Sequence, residues 1–284
     1  MILQDKKCYY FEELNYDKGL FDETVDATYI LYLEGSDRYN SIKKQITLYK
    51  PTKKIYIVHN KGYKKCSKDY VKWSMHDCAN SHIESYIHAE NMAYNNIIIL
   101  EDDFIFDSKI KDINTIFQIN KFIISKNNTN FIYYLGCIPQ IIIPYNLYTY
   151  KVINNSGTHA YIASHKYRQK ILYNKKEFIL TDNIESYICK KSNVYTYYIP
   201  LCYQLFPETE NSKNWGKDTN NIYAKYGPFV AKKIIKLLVL DTQIEPGYSI
   251  LYILAKILFW FIIFIIIFII NKIINKIINK IKKK

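Results

Sequence analysis

Residues 248–270 read YSILYILAKILFWFIIFIIIFII, and this run constrains the chain more than any other feature. Its one charge is Lys256. Wound as an α-helix at 1.5 Å per residue, about 23 residues extend roughly 35 Å, enough for the ~30 Å hydrocarbon core of a bilayer. A buried core helix is the alternative, but a body of this size does not easily cover such a segment on all sides. The run therefore predicts a single-pass C-terminal membrane helix. Lys256 stands near its start, where its stem can lie along apolar surface with the charged head at the interface. Lysines flank both ends, with Lys232, Lys233 and Lys236 before the run and more within 272–284 after it, so the positive-inside rule casts no vote on orientation. Residues 1–10 lack the apolar stretch of a secretory signal. A body in the cytosol is the simpler expectation, with a lumenal body and a cytosolic lysine tail as the other arrangement.

The same tail explains the charge. The 284-residue chain carries a formal +13, which invites a nucleic-acid reading. From Lys225 onward there are 11 lysines against Asp241 and Glu245, a net +9, which leaves 13 − 9 = +4 for the first 224 residues. The basic excess sits around a hydrophobic segment and suits an anionic membrane surface better than a nucleic acid. No nucleic-acid partner is expected. Six cysteines (8, 66, 78, 137, 189 and 202) are scattered with no CxxC pair, so a structural zinc site is not expected. Free thiols in a reducing compartment are the expectation.

In the body, apolar runs alternate with helical patterns. Residues 28–33, 53–58, 97–100, 131–135, 160–163 and 194–199 read as strands. Residues 37–48, 81–94, 107–125, 165–172 and 182–190 read as helices, and 59–77 and 208–221 as polar loops. Such alternation predicts an α/β sheet containing parallel strands. The expected organisation is an N-terminal extension over 1–25, one catalytic domain over 26–222, a basic juxtamembrane segment over 223–247, the membrane helix, and a lysine-rich tail over 271–284. There is no GxxxxGK[ST] and no GxGxxG, so P-loop and standard dinucleotide enzymes lose support.

The segment IIILEDDFIF sets Glu101, Asp102 and Asp103 directly after a buried strand. Burying three adjacent carboxylates without partners is costly. Ligands of open α/β sheets bind at the carboxyl ends of strands. Along an extended chain Glu101 and Asp103 point to one side and Asp102 to the other, so the first and third can share a cation. Carboxylate oxygens of this kind suit Mn²⁺ or Mg²⁺, which keep open positions for phosphate oxygens. A solvated strand-end turn is the plainer reading of the triplet taken alone.

The triplet has company in a fixed order. TYILYLEGSDR, a strand and turn ending in Asp37 and Arg38, precedes it. DCANSH, with Cys78, Ser81 and His82, comes about 20 residues before it. After it come GTHAYIASHKYRQKIL, then Asp182, then Gln204 and Ser212. Over residues 26–215 this ordered set resembles glycosyltransferase family 25, which includes lipooligosaccharide-type transferases and collagen galactosyltransferases. Two positions depart from the pattern: Tyr32 stands where the family has Asn, and Asp77 where it has Gly before the Cys. The resemblance implies a single GT-A-like, Rossmann-like domain with a mixed central sheet, a UDP-hexose donor, and inverting transfer to a glycan, lipid-linked or protein hydroxyl. The alternative is an inactive relative serving as a membrane-tethered binding or scaffold protein.

Site candidates follow from side-chain chemistry. Arg38, near the first strand's end, can grip a diphosphate bidentately. Asp102, Ser81, His82 and His159 are further candidate donor contacts, and His159 follows a Gly-Thr turn. An inverting transfer needs a carboxylate base. Asp182 is the first choice, with Glu185 one helical turn on and able to share its face.

Overall fold

A computed structural model describes residues 8–206 and 222–281 of the chain. It is a mixed α/β domain from which one long apolar helix emerges. The central sheet has seven strands in the order β1-β3-β2-β4-β7-β6-β8. They are β1 (Tyr9–Asn15), β2 (Ala27–Leu33), β3 (Lys54–Asn60), β4 (Asn96–Glu101), β6 (Phe131–Pro144), β7 (Thr149–Ser164) and β8 (Asn193–Tyr197). A separate pair joins β5 (Phe104–Phe106) to β9 (Cys202–Gln204), antiparallel.

The central strands β3, β2 and β4 run parallel. Strand β1 lies antiparallel along the outer edge of β3, and β7 antiparallel beside β4. The sheet is thus mixed, and the apolar runs announced its parallel strands as well as parts of β6, β7 and β8. Because both faces of these strands are covered, alternate residues feed two cores. Tyr29, Leu31, Ile97 and Ile99 pack on one side with α2 (Ser74–Asn91), α4 (His165–Tyr173), α5 (Lys175–Ile179) and α6 (Ile184–Lys191). Ile30, Tyr32, Ile98 and Leu100 pack on the other with α1 (Tyr39–Tyr49) and α3 (Ile113–Ser125).

Several sequence expectations shift. Helix α2 begins at Ser74, inside the stretch expected to be loop, and buries His76, Asp77 and Ala79. Strands β6 and β7 extend far beyond their five- and four-residue apolar cores into a long antiparallel hairpin with register shifts. Helix α6 starts at Ile184 with Asn183 as its cap, accepting from the Ser186 amide at 2.6 Å. Asp182 therefore stands outside the helix and does not share a helical face with Glu185. Cys8 and Cys66 form a disulfide with a Cα–Cα distance of 5.6 Å, correcting the expectation that all six thiols are free. The bond ties β1 to the loop after β3, a pairing that spacing alone does not reveal.

Helices α7 (Ile222–Leu237) and α8 (Gly247–Ile281) complete the described chain. The second is long and apolar enough to cross a membrane. Its first turns belong to the domain: Tyr248, Tyr252 and Ala255 are buried, whereas Ile257 and most residues beyond are exposed. The Tyr252 hydroxyl pairs with Thr196 at 3.1 Å, and Lys256 lies over the rings of Tyr150 and Tyr198.

Candidate functional site

Chain order places a topological switch point at the acidic triplet. After β2 the chain crosses to β3 on one side, and it returns through α2 to β4 on the other side of β2. The carboxyl ends of β2 and β4 thus flank a topological switch point, where open α/β sheets bind ligands. Glu101 ends β4, and Arg38 caps α1 directly after the β2 turn.

Arg38 meets the acids there. Its Nη1 forms ion pairs with Asp102 and, at 3.1 Å, with Asp103. Burial works against the guanidinium charge, but Asp103 and Asp102 outweigh it and hold the group above its ordinary range. Asp103 Oδ2 accepts from the side-chain amide of Gln204 at 2.8 Å, while Asp103 Oδ1 is buried with no hydrogen-bond partner among the described residues. Burial raises the Asp103 carboxyl to about 6, with Arg38 pulling the other way.

Glu101 and Asp103 are near neighbours with different partners. Glu101 accepts from the Thr158 hydroxyl, and His82 Nε2 stands 3.9 Å from the same oxygen. Burial, and then the Asp103 charge, push the Glu101 carboxyl up to about 8. A cation beside these carboxylates would offset the burial that raises them, and the orphaned Asp103 Oδ1 is an oxygen donor of the kind Mn²⁺ or Mg²⁺ takes. The donor set fits such an ion.

The other candidates separate. His82 is fully buried, its Nδ1 paired with the Tyr161 hydroxyl at 2.7 Å, and burial depresses its pKa to about 3. Ser81 commits its hydroxyl internally: it accepts from Asn60 at 2.9 Å and donates to the Asp77 carbonyl at 3.1 Å. It clips α2 to the end of β3 and does not join the acids. His159 is fully buried, 3.3 Å from the Cys202 carbonyl and edge-on to Tyr248, and its pKa is lowered to about 4 by burial. It supports β9, the strand that carries Gln204. Glu185 accepts from the Gly157 amide at 3.0 Å, and its charge reaches Glu101 and Cys78. Asp182 is exposed and acts on His76 instead. Ser212 lies outside the described residues.

Three contributors were not singled out as site residues from sequence. Thr158 sits in the GTHAY segment and holds Glu101. Cys78, one turn before His82, brings its thiol to the same carboxylate. Tyr248, in the apolar run, accepts from the Gln204 amide at 3.2 Å and so braces the residue that holds Asp103. Only the first two had a local signal, their place in the matched segments.

No protein-family model matches the chain, and no curated protein matches it. Solved structures with a similar arrangement include the A197 protein from STIV, 14% identical over 63% of this chain and 85% of that one, with a TM-score of 0.41. A nucleoside-diphosphate-sugar pyrophosphorylase from Vibrio cholerae RC9 is 12% identical over 64% of this chain and 80% of its own, with a TM-score of 0.31. A glycosyltransferase involved in glycosylation of the major capsid of PBCV-1 is 9% identical over 60% of this chain and 92% of its own, with a TM-score of 0.29. These likenesses are distant, and the functional reading below rests on this chain's own residues.

Proposed function

We propose that the protein is a membrane-anchored glycosyltransferase that moves a hexose from a UDP-sugar to a hydroxyl of a glycan, lipid-linked or protein acceptor, with inversion. The observation that carries this reading is the convergence of Arg38 and the Glu101-Asp102-Asp103 triplet at the carboxyl ends of β2 and β4, where one Asp103 oxygen is buried with no hydrogen-bond partner among the described residues.

In this reading Asp103, with Glu101 beside it, would hold Mn²⁺ or Mg²⁺, and the ion would supply positive charge to offset that of the leaving diphosphate. Arg38 turns its guanidinium from the carboxylates toward the phosphates and grips them. Gln204 and Tyr248 keep Asp103 in place, and Thr158 keeps Glu101 in place. The acceptor oxygen attacks the anomeric carbon, the bond from that carbon to the diphosphate breaks, and UDP leaves. The hydroxyl proton passes to a carboxylate. Glu185 is the better candidate than Asp182, because its charge reaches Glu101 whereas Asp182 is exposed and acts on His76. Helix α8 anchors the domain. The Cys8–Cys66 bond supports an oxidising compartment, and in this reading the body lies outside the cytosol with the lysine tail within it. Protease protection in sealed vesicles tests the orientation: a protected tail with a digestible body is expected from right-side-out vesicles, and the reverse pattern would restore the cytosolic placement.

The activity test is UDP release from a panel of UDP-hexoses by the full chain in detergent, with Mn²⁺ and with chelator. Metal-dependent release from at least one donor is expected. Silence across the panel from folded protein would favour an inactive binding protein.

A further inference from the structure

Beside the acids, α2 carries Cys78 and His82 one turn apart, so both side chains leave the same helix face. Glu101, the last residue of β4, meets that face. One donor atom from each of the three lies within 4.8 Å of the other two. We propose that Cys78, His82 and Glu101 form a zinc site, distinct in its donor set from the all-oxygen site ascribed to Asp103.

His82 is the strongest part of the case. It is wholly buried, and its Nε2 has no hydrogen-bond partner among the described residues. A buried ring nitrogen left unpaired is costly. Its other nitrogen, Nδ1, is held at 2.7 Å by the Tyr161 hydroxyl, which is itself tied to the Tyr86 hydroxyl. With Nδ1–H donating to Tyr161, Nε2 presents its lone pair toward Glu101 at 3.9 Å. Metal-binding histidines are oriented in this way by an outer partner on the second nitrogen. Thr158 gives Glu101 the same service.

The chemistry of the donors selects the ion. A thiolate, an imidazole and a carboxylate suit zinc, whereas Mg²⁺ and Mn²⁺ prefer oxygen alone. Tetrahedral zinc with bonds of about 2.0–2.3 Å sets its ligands roughly 3.3–3.8 Å apart. Small side-chain movements close the present spacing to that value. The charges of Asp77, Asp102 and Glu185 also reach Cys78, so a dication enters a region already rich in negative charge. Three protein ligands leave a fourth position for water.

This inference shares Glu101 with the proposed transferase site but does not depend on transfer. The full chain in detergent is stripped with chelator, reloaded separately with Zn²⁺ and Co²⁺, and freed of excess metal. About one zinc per chain is expected by elemental analysis, and bound Co²⁺ should show thiolate-to-cobalt charge-transfer absorption in the near ultraviolet. Cys78→Ser should abolish that absorption and weaken zinc binding more than the ~10-fold minimum of an outer-partner loss. Asp103→Ala should leave both intact even if transfer disappears, which separates the two sites. Folded wild-type protein that retains no zinc, or cobalt bound without the thiolate band, would overturn the proposal, and neither observation requires a variant to fold.

Discussion

Replacing Glu101 with Gln should stabilise the metal-free protein, and by more at higher pH. Burial and the Asp103 charge hold the Glu101 carboxyl at about 8, against 4.5 ordinarily. The sign follows from proton linkage. Below about pH 4.5 both folded and unfolded chains carry the proton, and the site costs nothing. Between about 4.5 and 8 the unfolded chain has released it while the folded chain keeps it, so stability declines as pH rises through that window. At about 1.4 kcal/mol per pH unit, the ceiling is roughly 5 kcal/mol. Asp103, raised from 3.8 to about 6, shares the repulsion. The Glu101 side chain keeps 21% of its surface in solvent, which screens it further. A gain of about 2–3 kcal/mol at pH 8, falling below about 1 kcal/mol at pH 5, is therefore expected. Gln retains an oxygen that can accept from Thr158, so that contact is not sacrificed. Urea unfolding in chelator at pH 5, 6.5 and 8 measures the difference, and added divalent metal should reverse its sign by stabilising the wild type alone. A Gln variant destabilised equally at all three pH values would refute the reasoning.

Two further outcomes test the packing behind the site. Gly136→Ala should cost about 1–3 kcal/mol by overpacking, because a Cβ there meets the Cys202 carbonyl oxygen and comes within 2.6 Å of His159 Nε2; thermal unfolding checks this, and an unchanged midpoint would mean that β9 is not fixed as described. Deleting the chain from residue 246 should destabilise the body far more than deleting it from 258, because only the first removes the buried Tyr248 and Tyr252; loss of a large buried aromatic costs about 3–5 kcal/mol, and equal stability of the two truncations in urea would contradict it.

The parallel centre of the sheet was legible because strands covered on both faces are continuous apolar runs, as at 28–33 and 97–100. The edge strand β1 was not: FEELN in YYFEELN alternates weakly, and antiparallel pairing with β3 supplies what the pattern lacks. The outer hairpin of β6 and β7 was missed because its polar residues, such as Asn154 and Asn155, carry no burial signal. The triplet was legible as three acids after an apolar strand, and Arg38 as a cation near the preceding turn. Their ion pairs depend on β2 and β4 being neighbours, which is a property of topology. Asp182 was misread because Asn183, not Asp182, caps the helix. The Cys78–His82–Glu101 cluster was hidden because its ligands come from a helix and a strand, a separation that no short cysteine motif records.

The most direct test of the account is UDP release with Mn²⁺ by wild type and Asp103→Ala, both as full chain in detergent and both shown to be folded. The account predicts release by wild type that chelator stops and that Asp103→Ala loses by at least about 100-fold, the scale of a lost charge-stabilising group. Undiminished release by the Asp103→Ala protein would contradict it.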